Sequence, residues 1–244
     1  MYLKSPKQYT AVYQIDKNRY TNYNIGMERI IYHGSEFIIE KPSYGKGNIH
    51  NDYGLGFYCC SKKELAKEWA ARRSGHGYIN KYSIRDDRLK VLDLTKEPNN
   101  DVLYWIALLM HNRELSNDLK DNFPRELQYL EEKYLVDISS YDIIIGYRAD
   151  DSYFRFPESF VRSEITIESL NKIFKAGNLG KQYVLVSKRA FNILHFLEYE
   201  EVFENSKEDY YKRKNGADKE FADLLNEDRY SKGIRLRDLI KDYE

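Results

Sequence analysis

Three short stretches set residues able to recognise a ligand beside compact backbone: Tyr32-His33-Gly34-Ser35, Gly54-Leu55-Gly56-Phe57-Tyr58 and Gln182-Tyr183-Val184-Leu185-Val186. A His-Gly-Ser at a strand end offers an imidazole, an amide that a ligand can approach closely, and a hydroxyl. A turn that satisfies its own histidine has the same composition, so the string alone leaves both readings open. Asp150 and Asp151 follow an apolar run. They suit a pair that shares a proton or orients a nucleophile, and equally a turn capped by short side-chain hydrogen bonds. His50, His76, His111 and His195 form no close-spaced constellation, and Cys59 and Cys60 have no remote cysteine pair, so no metal site is expected. The chain lacks a G-x-x-x-x-G-K-[ST] loop, which argues against a P-loop nucleotide hydrolase.

The elements that must hold these residues are legible in outline. Arg29-Ile30-Ile31-Tyr32-His33 reads as a strand stopped by Gly34-Ser35, and Gly54-x-Gly56 leads into a second short strand through Cys60. Ser61-Lys62-Lys63-Glu64 has the form of a capping box. The helix it predicts, over 62 to 73, carries Leu65, Ala66, Trp69 and Ala70 on one face. On periodicity alone Trp69 belongs to the core, and Tyr58 suits cross-strand packing. Strands follow over 78 to 84 and 90 to 94, then a helix of about four turns begun at Asn99-Asn100-Asp101. Helical character continues over 125 to 135, and Tyr141 to Gly146 is apolar enough for a buried strand. Thr166 caps a further helix, Gln182 to Ser187 is a strand, and Ala190 to Leu197 is expected to be helical. Residues 1 to 28 read as a polar lead-in. Those beyond about 200 read as a charged helical tail packed lightly on the body. The irregular mixture of strands and helices favours an α+β fold.

Taken in order, Ile31-Tyr32-His33-Gly34-Ser35, Gly54-Leu55-Gly56-Phe57-Tyr58 and the helix after it resemble the NAD-binding core of the ADP-ribosyltransferase superfamily. The likeness is to its diphtheria-toxin and poly(ADP-ribose)-polymerase branch, known for a His-Tyr-Glu triad on three strands. In that branch two aromatic residues stand with ten residues between them, as Tyr58 and Trp69 do here. Its third strand opens on glutamate, where this chain has Gln182. The pattern, with Asn51-Asp52-Tyr53-Gly54, Gly146 and Asp150-Asp151, is also similar to an uncharacterised bacterial domain family related to these transferases. It covers roughly residues 29 to 197.

The resemblance implies a split β-sandwich with flanking helices over residues 29 to 200, NAD as co-substrate, and His33, Tyr58 and Gln182 as the catalytic set. Tyr58 and Trp69 would sandwich the nicotinamide cation by stacking and cation–π attraction. His33 would hold the adenosine ribose and the Gly34 backbone the carboxamide, with Ser35, Asp52, Gly56 and Phe57 alongside. Asp52 equally suits holding its own loop, and Asp150 and Asp151 would lie near the acceptor or behind it. Glutamine keeps a hydrogen bond to ribose but offers no negative charge to a developing oxocarbenium ion, so a single ADP-ribose unit is the expected transfer. Ala66 stands where polymerase relatives often carry a serine, which implies weaker nicotinamide binding. Relatives of this kind are often bacterial toxins or defence effectors, so the implied partners are NAD, a macromolecular acceptor, protein or nucleic acid, and a neutralising antitoxin. A catalytically silent nucleotide- or nucleic-acid-binding module and an NAD glycohydrolase are the alternatives. Gly180 occupies the place where arginine-directed toxins carry Glu or Gln, so arginine is not favoured as acceptor.

Composition bounds these expectations. The 244 residues, 42% hydrophobic, suffice for one sizeable core. Lysine plus arginine and aspartate plus glutamate both total 39, which removes the basic field of a duplex-binding protein. Adjacent Cys59 and Cys60 cannot form a relaxed disulfide and read as reduced packing residues. No stretch approaches the roughly 20 apolar residues of a membrane span, and a cytoplasmic protein without membrane partners is expected. Tyrosine is in excess at 23 residues, and only Tyr58 has a specific use in this reading.

Overall fold

The computed structural model describes residues 28–71, 75–85, 87–96, 101–149, 153–175, 180–203 and 206–241. Residues 1–27 of the lead-in, Asn99-Asn100 and the pair Asp150-Asp151 lie outside them. In chain order the elements are β1 (Glu28–Ser35), β2 (Phe57–Cys60), α1 (Lys63–Ala70), β3 (Gly77–Arg85), β4 (Val91–Asp93), α2 (Val102–Asn112), α3 (Asn117–Asn122) and α4 (Pro124–Tyr134). Then follow β5 (Ile143–Gly146), α5 (Arg155–Val161), α6 (Ile167–Lys175), β6 (Gln182–Leu185), α7 (Lys188–Asn192), β7 (Leu194–Val202), α8 (Ser206–Arg229) and α9 (Leu236–Lys241).

The strands form one open, mixed seven-stranded sheet in the order β4-β5-β6-β2-β1-β3-β7, an α+β architecture. Only β4 and β5 run parallel; the other neighbours are antiparallel. The period of two along a strand sorts the core into faces. Ile143 and Ile145 of β5 join Ile31, Cys59, Tyr82 and Leu185 on one side, and Ile144 joins Val184 and the large cluster under α2 on the other. The α2 helix is apolar nearly all round rather than striped. Its Val102, Leu103 and Trp105 through Met110 are buried, which is what a helix inside the core requires.

Pairing within the sheet is uneven, and that unevenness makes the cleft. β1 holds β3 through eight register pairs, from Glu28 opposite Arg85 to Ser35 opposite Tyr78. β2 holds β6 through four. Between β1 and β2 there is one, Tyr32 opposite Cys60, so the two strands part beyond it.

Four sequence expectations are corrected. Ser61 does not cap α1: the N-cap is Lys62, in extended conformation and without a side-chain cap bond. The helix assigned to Ala190–Leu197 is a five-residue α7, capped by Ser187, followed by the edge strand β7. Leu194 and Phe196 turn toward the sheet core while His195 and Leu197 turn out, a strand alternation. The α2 helix has 11 residues, about three turns. The segment after 200 is also no light appendage, because Ala217, Leu224, Leu236 and Ile240 are buried in the large core. Buried Asp228 accepts from the Thr166 amide at 2.7 Å and the Ser169 hydroxyl at 2.9 Å, which ties α8 to the start of α6. Among the described residues no helix is long and apolar enough to cross a membrane.

Candidate functional site

Where β1 and β2 part, a cavity of ≈ 510 Å³ opens between them, the loop 36–56 and α1. His33, Gly34, Asp52, Gly56, Phe57, Tyr58, Trp69 and Gln182 all line it. Ser35 does not: its hydroxyl donates to Phe37 O at 2.5 Å and accepts from Asn80 Nδ2 at 3.0 Å, so it serves the turn after β1.

Glycine at 34 is a packing requirement. A Cβ there would stand 1.9 Å from Ala66 O and 2.7 Å from Ala70 N, so the missing side chain lets α1 lie directly on β1. That approach brings Ala66 and Trp69 to the cleft wall. Trp69 is 39% exposed, so it is no core residue in spite of its helical periodicity. The Arg148 guanidinium lies over its ring, 5.5 Å from the centroid.

Tyr58 is fixed from its far end. Its hydroxyl donates to Gly54 O at 2.6 Å and accepts from Tyr53 N at 3.0 Å, while burial pushes its pKa far up. The hydroxyl is therefore committed to the loop as a neutral group, and the ring is left as a preset wall. The loop is anchored in turn by Tyr53, fully buried, whose hydroxyl donates to Tyr147 O at 2.7 Å. Gly146 is needed beneath that hydroxyl, which a Cβ would meet at 1.9 Å. Asp52 is also structural: its carboxylate accepts from Ala149 N at 3.3 Å and pairs with Arg113 at 3.4 Å. Of the two roles open to it in sequence, holding the loop is the one these bonds support.

His33 reaches across the parted strands. Its Nδ1 lies 2.7 Å from Tyr58 O, a carbonyl that can only accept, so Nδ1 carries the proton. Its ring tilts against Phe57 with centroids 4.4 Å apart. Burial lowers its pKa from 6.5, more than the bond to Tyr58 raises it, so the imidazole is neutral at pH 7 and presents Nε2 as an acceptor. Gln182 opens β6 opposite Cys60 and Gly146. Its Oε1 is buried without a hydrogen-bond partner. An unsatisfied buried acceptor costs about 1–3 kcal/mol and marks a place where a donor from a ligand would be rewarded.

Sequence reasoning missed the cations. Lys41, Lys46, Arg113 and Arg148 line the cleft, while Asp52 is its one carboxylate among the described residues. They come from a loop, a helix end and a strand exit, so no spacing in the chain announces them. Neighbouring Cys59 and Cys60 are free, buried thiols. Burial pushes Cys60 up to about 11 and Cys59 well above its ordinary value, so neither is a nucleophile at neutral pH. Among the described residues no group of three or more His, Cys, Asp or Glu side chains is placed to hold a metal ion.

A family model described as "Protein of unknown function (DUF3990)" matches residues 29–196, which contain every wall of the cleft. No curated protein matches the chain. No solved structure matches it.

Proposed function

The chain belongs to the DUF3990 family, and we propose that it is a mono-ADP-ribosyltransferase-like enzyme that binds NAD, releases nicotinamide and passes ADP-ribose to a macromolecular acceptor. One observation carries the reading. His33, Tyr58, Trp69 and Gln182, from three strands and a helix distant in sequence, line the same cleft at the parting of β1 and β2. In this reading the fold is an ADP-ribosyltransferase-like split sandwich whose halves are β4-β5-β6-β2 and β1-β3-β7.

Each wall has a task on NAD. Tyr58 and Trp69 stack on the nicotinamide, with the Tyr58 ring held by its two hydroxyl bonds. Neutral His33 accepts from a ribose hydroxyl through Nε2. The cations of the lining favour a dianionic pyrophosphate. Gln182 Oε1 accepts from the nicotinamide-ribose hydroxyl and fixes the sugar. The glycosidic C–N bond breaks with its electron pair going to nicotinamide, the acceptor's nucleophilic atom forms the new bond at the same carbon, and the proton that atom carried is released to solvent. Glutamine supplies no charge to this transition state, which limits the rate and suits one transfer rather than a chain. A bacterial toxin or defence effector held in check by an antitoxin is the setting proposed for such a unit.

A second reading has its own support. The one carboxylate lining the cleft among the described residues, Asp52, is engaged by Arg113 and Ala149 N, so a silent NAD-binding module on the same fold is its natural form. Incubation with labelled NAD, with and without cell lysate, separates the readings. Label on protein or nucleic acid that disappears in His33→Ala supports transfer. Free ADP-ribose without lysate marks hydrolysis, and no nicotinamide release at all favours the silent module.

A further inference from the structure

The outer wall of the cleft is a strap, and its attachment depends on one buried amide. Ile39, Lys41, Pro42, Ser43, Lys46 and Gly47 line the cavity, yet most of the segment 40–49 is exposed. Inside it few hydrogen bonds hold the shape: Lys46 N to Ser43 O at 3.4 Å, and His50 N to Asn48 Oδ1 at 2.9 Å at its end. Its far end is fastened by the Tyr53, Tyr58 and Asp52 bonds described above. At its near end stands Asn80 of β3, completely buried. Asn80 Oδ1 accepts from Ile39 N at 2.7 Å. Its Nδ2 donates to Ser35 Oγ at 3.0 Å, Phe37 O at 3.2 Å and, more weakly, His33 O at 3.4 Å. The Tyr82 hydroxyl, from the same strand, donates to Ile39 O.

A buried asparagine with both ends of its amide satisfied is costly to place and specific once placed. It meets four residues of one chain reversal, beginning at His33. We infer that Asn80 is a positioning residue for the cleft: it sets the strap against the His33 and Phe57 side, so that the part of the ligand lying there is bound only while this latch is closed. The strap packs on that side through Tyr44, which meets Phe191 edge-on at 5.6 Å, as Phe191 in turn meets Phe57 at 6.1 Å. Trp69 and Gln182 belong to other elements and do not touch the latch bonds. The strap therefore governs the nucleotide end of the ligand; Gly34, inside the same reversal, is held separately by its pairing with Ile79 of β3 and its seat against α1, so the nicotinamide end keeps its contacts. The choice of ligand rests on the NAD reading; the latch itself does not.

The test uses the full chain with Asn80→Ser and Tyr82→Phe, each compared with wild type by hydrogen exchange without ligand and by titration with NAD, ADP-ribose and nicotinamide. In both variants exchange at the Ile39 amide, the strap amide that Asn80 holds, is expected to rise at least tenfold while β3 and β5 keep their protection. NAD and ADP-ribose affinity is expected to fall about tenfold, with nicotinamide affinity unchanged. Unchanged exchange in a folded variant overturns the latch, as does equal loss of protection throughout the sheet. Should Asn80→Ser fail to fold, Tyr82→Phe carries the same exchange test, since its ring still fills the core. Uniform loss of all three ligands overturns the division of the cleft. If wild type binds none of them while strap exchange rises as expected, the latch stands and the NAD reading fails.

Discussion

Replacing Gly34 by alanine places a methyl carbon 1.9 Å from Ala66 O and 2.7 Å from Ala70 N, both of them backbone atoms of α1. No rotamer relieves such a contact, so α1 must withdraw by more than about 1 Å, and overpacking of this kind costs about 1–3 kcal/mol. The upper end applies here. Gly77 presses on the same helix from β3, its missing Cβ 2.0 Å from Ala70 O, so α1 cannot slide along the sheet to escape. The displacement carries Trp69 with it, and NAD affinity should fall by more than tenfold in protein that remains folded. Gly216 is the control: a Cβ there meets nothing within 4 Å, and Gly→Ala inside a helix stabilises by roughly 0.5–1 kcal/mol. Urea unfolding followed by circular dichroism gives the stabilities, and isothermal titration of variants that stay folded gives the affinities. Gly34→Ala with wild-type stability, or a destabilised Gly34→Ala that still binds NAD as wild type does, would refute the argument that α1 is seated by this glycine and seats Trp69.

The other predictions follow from single groups. Gln182→Glu should keep or raise nicotinamide release, because it restores negative charge beside the ribose; loss of NAD binding would remove residue 182 from that position. Burial holds the His33 pKa below 6.5, so the unfolded chain takes up its proton first as the pH falls. His33 therefore withdraws stability as pH drops below 6.5 toward its folded value and has no effect above. Urea melts between pH 7.5 and 5.5 should show a smaller acid loss for His33→Gln than for wild type, and equal losses would contradict the neutral, half-buried ring. Asp228→Ala removes the acceptor for Thr166 N and Ser169 Oγ; at about 1.5–3 kcal/mol for hydrogen bonds to a charged group, the melt should fall clearly, whereas a light tail would leave it unmoved.

Much of the sheet was legible because its buried strands are β-branched runs between glycines, as in Ile143-Ile144-Ile145-Gly146. The edge strand β7 was not, because its outward residues are charged and satisfied laterally: Glu198 pairs with Lys81 at 2.7 Å, Glu200 with Lys63 and Glu201 with His76 at 2.7 Å. Such a strand has the composition of a solvated helix. Ser61 and Glu64 matched a capping box, but helix entry depends on backbone geometry one residue on, at Lys62, whose carbonyl accepts from the Cys60 thiol at 3.2 Å. The docking of α8 rests on a few apolar residues, Ala217 and Leu224 among them, too sparse to raise the average of a charged segment. In the cleft, the glycine-flanked motifs could be read because tight backbone contact leaves a mark in sequence. Arg113, Arg148 and Asn80 could not, since each owes its place to tertiary neighbours.

Equilibrium binding of NAD to the full chain, measured by isothermal titration for wild type, Trp69→Ala and His33→Ala, tests the central claim most directly. Wild type should bind saturably at one site. Loss of a stacking wall, at about 1–3 kcal/mol per aromatic–base contact, should weaken Trp69→Ala by at least fivefold, and His33→Ala should also bind less tightly, both variants being folded at the titration temperature. Absence of saturable NAD binding, or binding indifferent to both substitutions, would contradict the assignment of this cleft.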